Sequence, residues 1–600
     1  LNFQEPHPDN PLPGSPFHVQ TAPAPWQPRG AGIPRRAAVS AFGFGGINAH
    51  VLVEEWPSSA GASAVASRQA PIVVTGTDTP REDLVAVVGM EAFFGAARGL
   101  ASFRETIFKG QPDFRPPSHH RWKHCDDILQ HYLQRETPLP GGYLDDFQID
   151  LADFRVPPKE IPDILPQHLL MLKVARAAMI DAGQQADIDP IRMGCVIGME
   201  FDLEDTNFHL RWDAHLVAEE WHSRYALGLS PEQIDSWAKA LADMASPPLT
   251  HTRTLGSLGS LIASRIAREF HFGGPSFIVS ADAVSGLQAL AIATGMLNRH
   301  DVDQMLVGAV DLPGDLRRLI KADRLASLAK GDRSHNLDRR ADGTLPGEGG
   351  AAVVLKRLAD ARRAGDRIYA VIRGLGSVRQ GNPFEGHEQA AASIRALSAS
   401  LAEAGTPPES IGYLETHGSG HPRHDRAEYQ AVNTVFGPSP SPPAIGTAKA
   451  CIGHTGGAAG LASLVKAALC LHDKTIAPMS GYQSSPETAD LPDPVRGPAQ
   501  TVSWPANRSN TPRRACLNTI SDEGHAVSVV LEEAPEPDGV TRRALTAAKA
   551  DARRKAHPVT IVCGGMALDP PQPPGYGGTA RRPAAAVLPS HPETSDGKPQ

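Results

Sequence analysis

The chain has 600 residues, 41% of them hydrophobic, with 58 Lys and Arg against 66 Asp and Glu, a formal net charge of −8. That balance is ordinary for a globular protein and excludes the basic footprint of a nucleic-acid binder or of a protein held on an anionic membrane. No run reaches the roughly 20 apolar residues that cross a bilayer, and the first residues lack the basic and then apolar pattern of a secretory signal.

The chain starts at Leu1 and reads as the middle of something already under way, so a truncated front is expected. The first clear element is Arg35 to Pro57, "RRAAVSAFGFGGINAHVLVEEWP", two short strands around a Gly-rich turn. It has a counterpart at Arg513 to Pro535, "RRACLNTISDEGHAVSVVLEEAP", so the same ending occurs twice and residues 1–57 are expected to be the tail of one domain. A piece that small buries little apolar surface and is expected to be loosely attached or to borrow a sheet edge. Residues 58–83 are rich in Ala, Ser, Pro and Thr and read as a linker.

A new domain, 84–535, opens with the buried strand "DLVAVVGME" (Asp83 to Glu91). Helical and strand patterns then alternate through "HLLMLKVARAAMIDAG", "GCVIGME", "LGSLIASRIAREF", "PSFIVSA", "SGLQALAIATGML" and "QMLVGAV". The rhythm restarts at Tyr369 to Val378 and runs to Leu531, which predicts an α/β fold in two pseudo-equivalent halves, about 84–365 and 366–535. Residues 536–600 are rich in Pro, Gly, Ala and Arg and expected to be mostly disordered, except that "HPVTIVCGGM" (His557 to Met566) could open a truncated domain. The six cysteines, Cys125, Cys195, Cys451, Cys470, Cys516 and Cys563, form no C-x-x-C pair, so reduced thiols in a cytoplasmic protein are the simple reading.

Four segments carry the chemistry: "GPSFIVSADAVSGLQAL" (Gly274 to Leu290), "DRRADGTLPGEGGAAVVLKRL" (Asp338 to Leu358), "YLETHGSGHPRHD" (Tyr413 to Asp425) and "IGTAKACIGHTGGAAGLASLVKA" (Ile445 to Ala467). In that order they resemble the β-ketoacyl synthase family, over about Leu84 to Pro535, with a second family tail in Leu1 to Pro57. The resemblance implies a thiolase-like fold of five alternating α/β layers. It also implies an acyl chain carried on a cysteine at a strand-to-helix turn, with two histidines and a lysine completing the site. On this sequence the histidines fall on His417 and His454, the lysine on Lys449, and its expected acidic partner on Glu348. Ser419 falls where the family contacts the pantetheine arm, while the second threonine of that motif is replaced by His421.

The nucleophile is missing. Counting from Ser276 places Ala283 at the cysteine position, and an alanine methyl forms no thioester. Ser280 and Ser285 lie three residues before and two after it, out of register, and ordinary hydrogen bonding explains them. A second departure agrees. "GFGGINAH" (Gly43 to His50) keeps the Phe-flanked glycine loop that admits the acyl chain in active relatives, whereas the second copy reads "SDEGHAVS" (Ser521 to Ser528).

The expected function is therefore a ketosynthase-like part of a multidomain fatty acid or polyketide synthase. In that reading the main domain is a chain-length-factor-like partner, paired as a pseudo-dimer or dimer with an active ketosynthase domain. Substrates would be malonyl and acyl thioesters on the phosphopantetheine of an acyl carrier protein, with no permanently bound cofactor and no metal. Two alternatives stay open: a malonyl-carrier-protein decarboxylase using the retained histidines, and a purely structural docking module. The bland reading of His417 and His454 is packing, that of His421 and His424 an irregular loop rather than a metal site, that of Cys451 a small buried thiol, and that of Gly456 to Gly460 close packing.

Overall fold

The computed structural model describes residues 3–9, 12–43, 48–56, 84–118, 121–122, 126–183, 190–201, 207–380, 386–437, 441–483, 497–505, 511–534 and 558–562. The linker 58–83, the loop 44–47, most of the segment after 535, and Cys125 and Cys563 lie outside them.

Two half-sheets carry the fold. The first contains β1 (Val85–Phe94), β2 (Met193–Met199), β3 (Ser276–Val279), β4 (Gln304–Asp311) and β5 (Gly349–Arg357), side by side in the order β3-β2-β4-β5-β1. The second contains β6 (Ala370–Arg379), β7 (Tyr413–Glu415), β8 (Ala444–Gly446), β9 (Arg514–Ile520) and β10 (His525–Glu532), in the order β8-β7-β9-β10-β6. Each half thus repeats one topology, third-second-fourth-fifth-first. In both, the second strand is parallel to the third and fourth, while the fifth is antiparallel to its neighbours. A short antiparallel pairing of β1 with β6 joins the halves.

The sequence dictates why the sheets are sandwiched. In β1, Val85, Val87, Met90, Ala92 and Phe94 face one apolar cluster while Ala86, Val88 and Phe93 face another, so both faces need cover. The parity changes at a bulge between Val87 and Gly89. There α1 (Pro166–Asp181) comes so close that a Cβ on Gly89 would lie 2.6 Å from the Ala178 carbonyl. With α2 (Leu261–Phe270), α1 covers the outer face of the first sheet. The inner faces of both sheets share one core with α3 (Ser285–Asn298) and α6 (Ala459–His472). In α6 every residue from Ala459 to Leu471 is buried, which explains a sequence apolar on every face but for Ser463 and Lys466. The outer face of the second sheet packs on α4 (Gly386–Ala404) and α5 (Pro422–Phe436). The result is the five-layer thiolase-like arrangement that the sequence predicts.

Three features lie outside this frame. Helices Asn207–Tyr225 and Pro231–Ala245 pair as a hairpin between β2 and α2, and Trp212, Leu216 and Met244 are each more than three-fifths exposed. Pro558–Val562 runs antiparallel to Asp146–Asp150 and tucks Ile561 into the core around α1. The strands Arg36–Phe42 and Asn48–Glu54 pair with each other in the register of β9 and β10, Arg36 opposite Glu54 as Arg514 is opposite Glu532. Even the Arg35 and Glu55 clamp repeats that of Arg513 and Glu533. Yet β9 and β10 are buried, whereas Phe42 and Leu52 of the first copy are 72% and 84% exposed.

Candidate functional site

The site forms where β3 turns into α3. Ala283 occupies that turn, 2% exposed, inside a single 3-10 turn that leads into α3. Asp282 before it holds φ at +50°, a left-handed conformation that a non-glycine residue adopts only under constraint. Two contacts supply the constraint. The Ser285 hydroxyl donates to the Asp282 carbonyl at 2.6 Å, and the Asp522 amide donates to the Asp282 carboxylate at 2.7 Å. Ser280 and Ser285 both point at Glu200, at 3.4 and 3.1 Å, and neither bonds a histidine.

His417 and His454 meet beside this turn, their rings 5.5 Å apart and nearly perpendicular. His417 follows β7 on a loop whose glycines take positive φ, and His454 follows the short helix Lys449–Ile452. Each ring uses Nδ1 as an acceptor, from the Ile520 amide at 3.3 Å and the Gly456 amide at 3.2 Å respectively. Burial, with the Lys449 ammonium nearby, pushes both imidazoles well below their usual pKa. Neutral rings with Nδ1 accepting carry the proton on Nε2, and neither Nε2 has a partner among the described residues. The pair is therefore two N–H donors held ready for an oxygen, the arrangement that stabilises charge developing on a thioester carbonyl.

Lys449 completes the cluster, its Nζ donating to the His417 carbonyl at 2.7 Å. Burial lowers its pKa to about 8, opposed chiefly by the carboxylates of Glu428 and Glu415. The expected Lys449 and Glu348 pair does not form. Glu348 is fully buried, bonds Arg121, and accepts from the Gly314 and Leu144 amides at 2.8 Å each. A guanidinium and two amides hold that carboxylate, while the Lys449 ammonium is taken up by the His417 carbonyl. Ser419 keeps its place on the loop, but its hydroxyl donates inward to Asp425 at 3.1 Å and accepts from the His421 amide at 3.0 Å.

Three carboxylates at the site escaped the sequence reading. Glu428 accepts from the His417 and Gly418 amides at 2.7 Å each and from Asn518 at 2.8 Å, so it holds the histidine loop. Glu415 accepts from the Ala448 amide at 2.6 Å and pairs with the buried Lys466 at 2.9 Å, fixing the start of the Lys449 helix. Glu200, pushed up to about 7 by burial and by Asp282 and Asp311, faces the vacant nucleophile turn. The spacing of Asp425 and Glu428 on one helix face directly after the histidine loop was the available signal. The remaining sequence expectations are placed simply. Cys451 is a buried thiol 3.6 Å from the Ser480 hydroxyl, and a Cβ on Gly456 would sit 2.1 Å from Asp311, so the glycine run is close packing.

Two half-sheets of one topology clasping paired helices, with two histidines and a lysine gathered at the turn before the first of those helices, define a condensing-enzyme fold. The chain belongs to the beta-ketoacyl synthase family, whose N-terminal domain profile matches residues 82–361 and whose C-terminal domain profile matches 369–483. It is 29% identical over 540 residues to a polyunsaturated fatty acid synthase polypeptide of Thraustochytrium sp., covering 86% of this chain and 25% of that protein. It is 33% identical over 479 residues to the phthioceranic/hydroxyphthioceranic acid synthase of Mycobacterium bovis, covering 78% of this chain and 21% of that protein. Among solved structures, the PfaC keto synthase-chain length factor aligns with a TM-score of 0.66 at 25% identity, over 89% of this chain and 48% of the other. The chain thus spans a quarter or less of the length of these curated relatives. No described helix is long and apolar enough to cross a membrane.

Proposed function

We propose that residues 84–535 act as the non-condensing partner of an active ketosynthase, shaping its acyl chain as a chain-length factor does, within a cytoplasmic multidomain fatty acid or polyketide synthase. The observation that carries this reading is Ala283 at the one turn where an acyl-enzyme would form, flanked by Asp282 and Glu200 in place of any nucleophile. The similarity to a solved keto synthase-chain length factor supports it. So does the exposed strand pair Arg36–Phe42 and Asn48–Glu54, which has the register and clamps of β9 and β10 but no further strand beside it among the described residues, as the tail of a preceding ketosynthase would. The edge strand β3 and the exposed apolar side chains of 201–258 offer the active partner a broad surface. Substrates would arrive on the phosphopantetheine arm of an acyl carrier protein.

A second reading, malonyl-thioester decarboxylation, is favoured by the two unpartnered Nε2 donors, because enolate stabilisation needs them and not the cysteine. The acidic groups Asp282, Glu200 and Asp522 around the turn weigh against it, since they repel the malonyl carboxylate whenever they are ionised. The deciding experiment gives the whole chain malonyl-carrier protein and labelled acyl thioester, alone and with an active ketosynthase, and follows carbon dioxide, covalent label and product length. Changed product length only in the mixture supports the partner role. Carbon dioxide released by the chain alone and lost in His417→Ala would replace it with the decarboxylase, and covalent labelling would overturn the reading of Ala283.

A further inference from the structure

Strand Asp146–Asp150 belongs to neither half-sheet, and among the described residues its only strand partner is Pro558–Val562. The two pair antiparallel over five residues, from Asp150 opposite Pro558 to Asp146 opposite Val562. Their alternations match. Phe147 and Ile149 are buried opposite the buried Ile561 and the half-buried Val559, while Gln148 and Thr560 are exposed opposite each other. Ile561 and Val559 pack into the core around α1 that also takes Phe147 and Phe93, whose rings meet edge-on at 6.4 Å. A slip of one residue would turn Thr560 into that core, so the apolar pattern fixes the register. A two-stranded ribbon does not hold itself together in water, so each strand needs the other and the core beneath them.

The residues just before this strand support one of the site histidines. The Leu144 amide donates to Glu348 at 2.8 Å, the Gly142 amide donates to the Pro346 carbonyl at 2.9 Å, and the Gly142 carbonyl accepts from the Glu348 amide at 3.0 Å. Arg121 adds a second tie, bonding both Glu348 and, at 3.2 Å, Asp145. From there the Gly347 amide donates to the His454 carbonyl at 2.9 Å, and the His454 amide donates to the Leu345 carbonyl at 2.8 Å. The segments touch without slack: a Cβ on Gly142 or on Gly347 would lie 2.3 or 2.1 Å from the Ile452 carbonyl oxygen.

We infer that Pro558–Val562 is a clamp on the site: by completing strand Asp146–Asp150 it fixes residues 141–145, and through them the main chain on both sides of His454. Ile561 and Val559 are then positioning residues for His454, acting through the hydrogen-bonded run from 146–150 to 345–348. On this reading the strand closes the domain 84–535 instead of opening another. The chain beyond Val562 sets out from the outer flank of the first half-sheet, tied to the histidine pair. The coupling is one of backbone support, so it holds whatever His417 and His454 act on.

The test is amide hydrogen exchange, read by mass spectrometry on the full chain, native and Ile561→Asp. A carboxylate at that buried position expels the strand, so exchange within 146–150 is expected to quicken at least about tenfold. Residues 141–145 and 345–348 should follow by about threefold or more, while β2 in the centre of the first half-sheet stays unchanged. Ile561→Val, which keeps an apolar branched side chain, and Thr560→Ser, on the exposed face, should both stay within about twofold of the native chain in all of these segments. Unchanged exchange of 146–150 in Ile561→Asp would overturn the clamp. Faster exchange confined to 146–150, with 141–145 and 345–348 at native rates, would overturn the link to His454. If Ile561→Asp unfolds the whole chain, so that β2 exchanges faster as well, Val559→Asp at the half-buried neighbour is read by the same two criteria.

Discussion

Replacing Glu428 by alanine tests how the histidine loop is held. Its carboxylate, 1% exposed, takes the main-chain amides of His417 and Gly418 at 2.7 Å each and the Asn518 side chain at 2.8 Å. Alanine leaves two backbone donors and one side-chain donor in a dry interior. An orphaned buried donor costs about 1–3 kcal/mol, and the relief of desolvating a buried carboxylate returns part of the sum. The net expected loss is about 3–5 kcal/mol. With a urea slope of about 3 kcal/mol per molar, the unfolding midpoint should fall by roughly 1–1.7 M. Tryptophan fluorescence and circular dichroism across a urea titration read this directly. Asn518→Ala removes only one donor and should lose about 1 kcal/mol. A Glu428→Ala midpoint within about 0.2 M of the native chain would show that the carboxylate does not organise the loop, and the account of how His417 is positioned would fall.

Three further outcomes follow from the same geometry. Glu200 has a folded-state pKa of about 7, above the ordinary carboxylate value, so the folded chain binds more protons than the unfolded one between the two values and stability falls as pH rises through that window. Glu200→Gln should therefore gain melting temperature over the native chain between pH 5 and pH 8, by the equivalent of about 1–3 kcal/mol, and a pH-independent difference would contradict this. Ala283→Cys should restore neither condensation nor a reactive thiol, because Asp282 and Glu200 disfavour a thiolate there. Its alkylation by iodoacetamide at neutral pH should run about tenfold slower than that of a free cysteine, and fast labelling would disprove the shielding. Gly456→Ala places a Cβ 2.1 Å from an Asp311 oxygen at φ +48° and should cost about 2–4 kcal/mol in thermal unfolding, an expectation that an unchanged melting temperature would refute.

What could be read in the sequence was whatever the backbone or a single residue decides. The alternation of strands and helices, restarting near Tyr369, gave the doubled topology, and one residue in register removed the nucleophile. Partner choice was not legible. Lys449 and Glu348 both become buried and lie near one another in motif order, yet the carboxylate goes to Arg121, 227 residues earlier in a stretch that nothing marks as special. "HDRAEYQ" reads as a polar helix face, and only the inward turn of the His417 and Gly418 amides makes Glu428 a core residue. The helical pair within 207–245 carries no clear helical signal in the sequence because it packs mainly on itself. Its buried positions, such as Ala214, Ala218, Ala238 and Ala242, are small, and its large residues Trp212 and Leu216 face outward, which inverts the usual signal.

The retained histidines have two separable justifications, one at each ring nitrogen. At Nδ1 they are structural, because each accepts a backbone amide that would otherwise be orphaned, and this alone accounts for keeping the residues in a domain without a nucleophile. At Nε2 they carry a donor with no partner among the described residues, which structure alone does not require. An N–H left open in each of two adjacent rings can donate to a ligand oxygen, and under the proposed function a thioester carbonyl on a carrier arm would supply one without any covalent step. The acidic turn then selects among thioesters. Ionised, its carboxylates repel the malonyl anion and leave a neutral acyl chain unaffected, which is the discrimination that the proposed partner role requires.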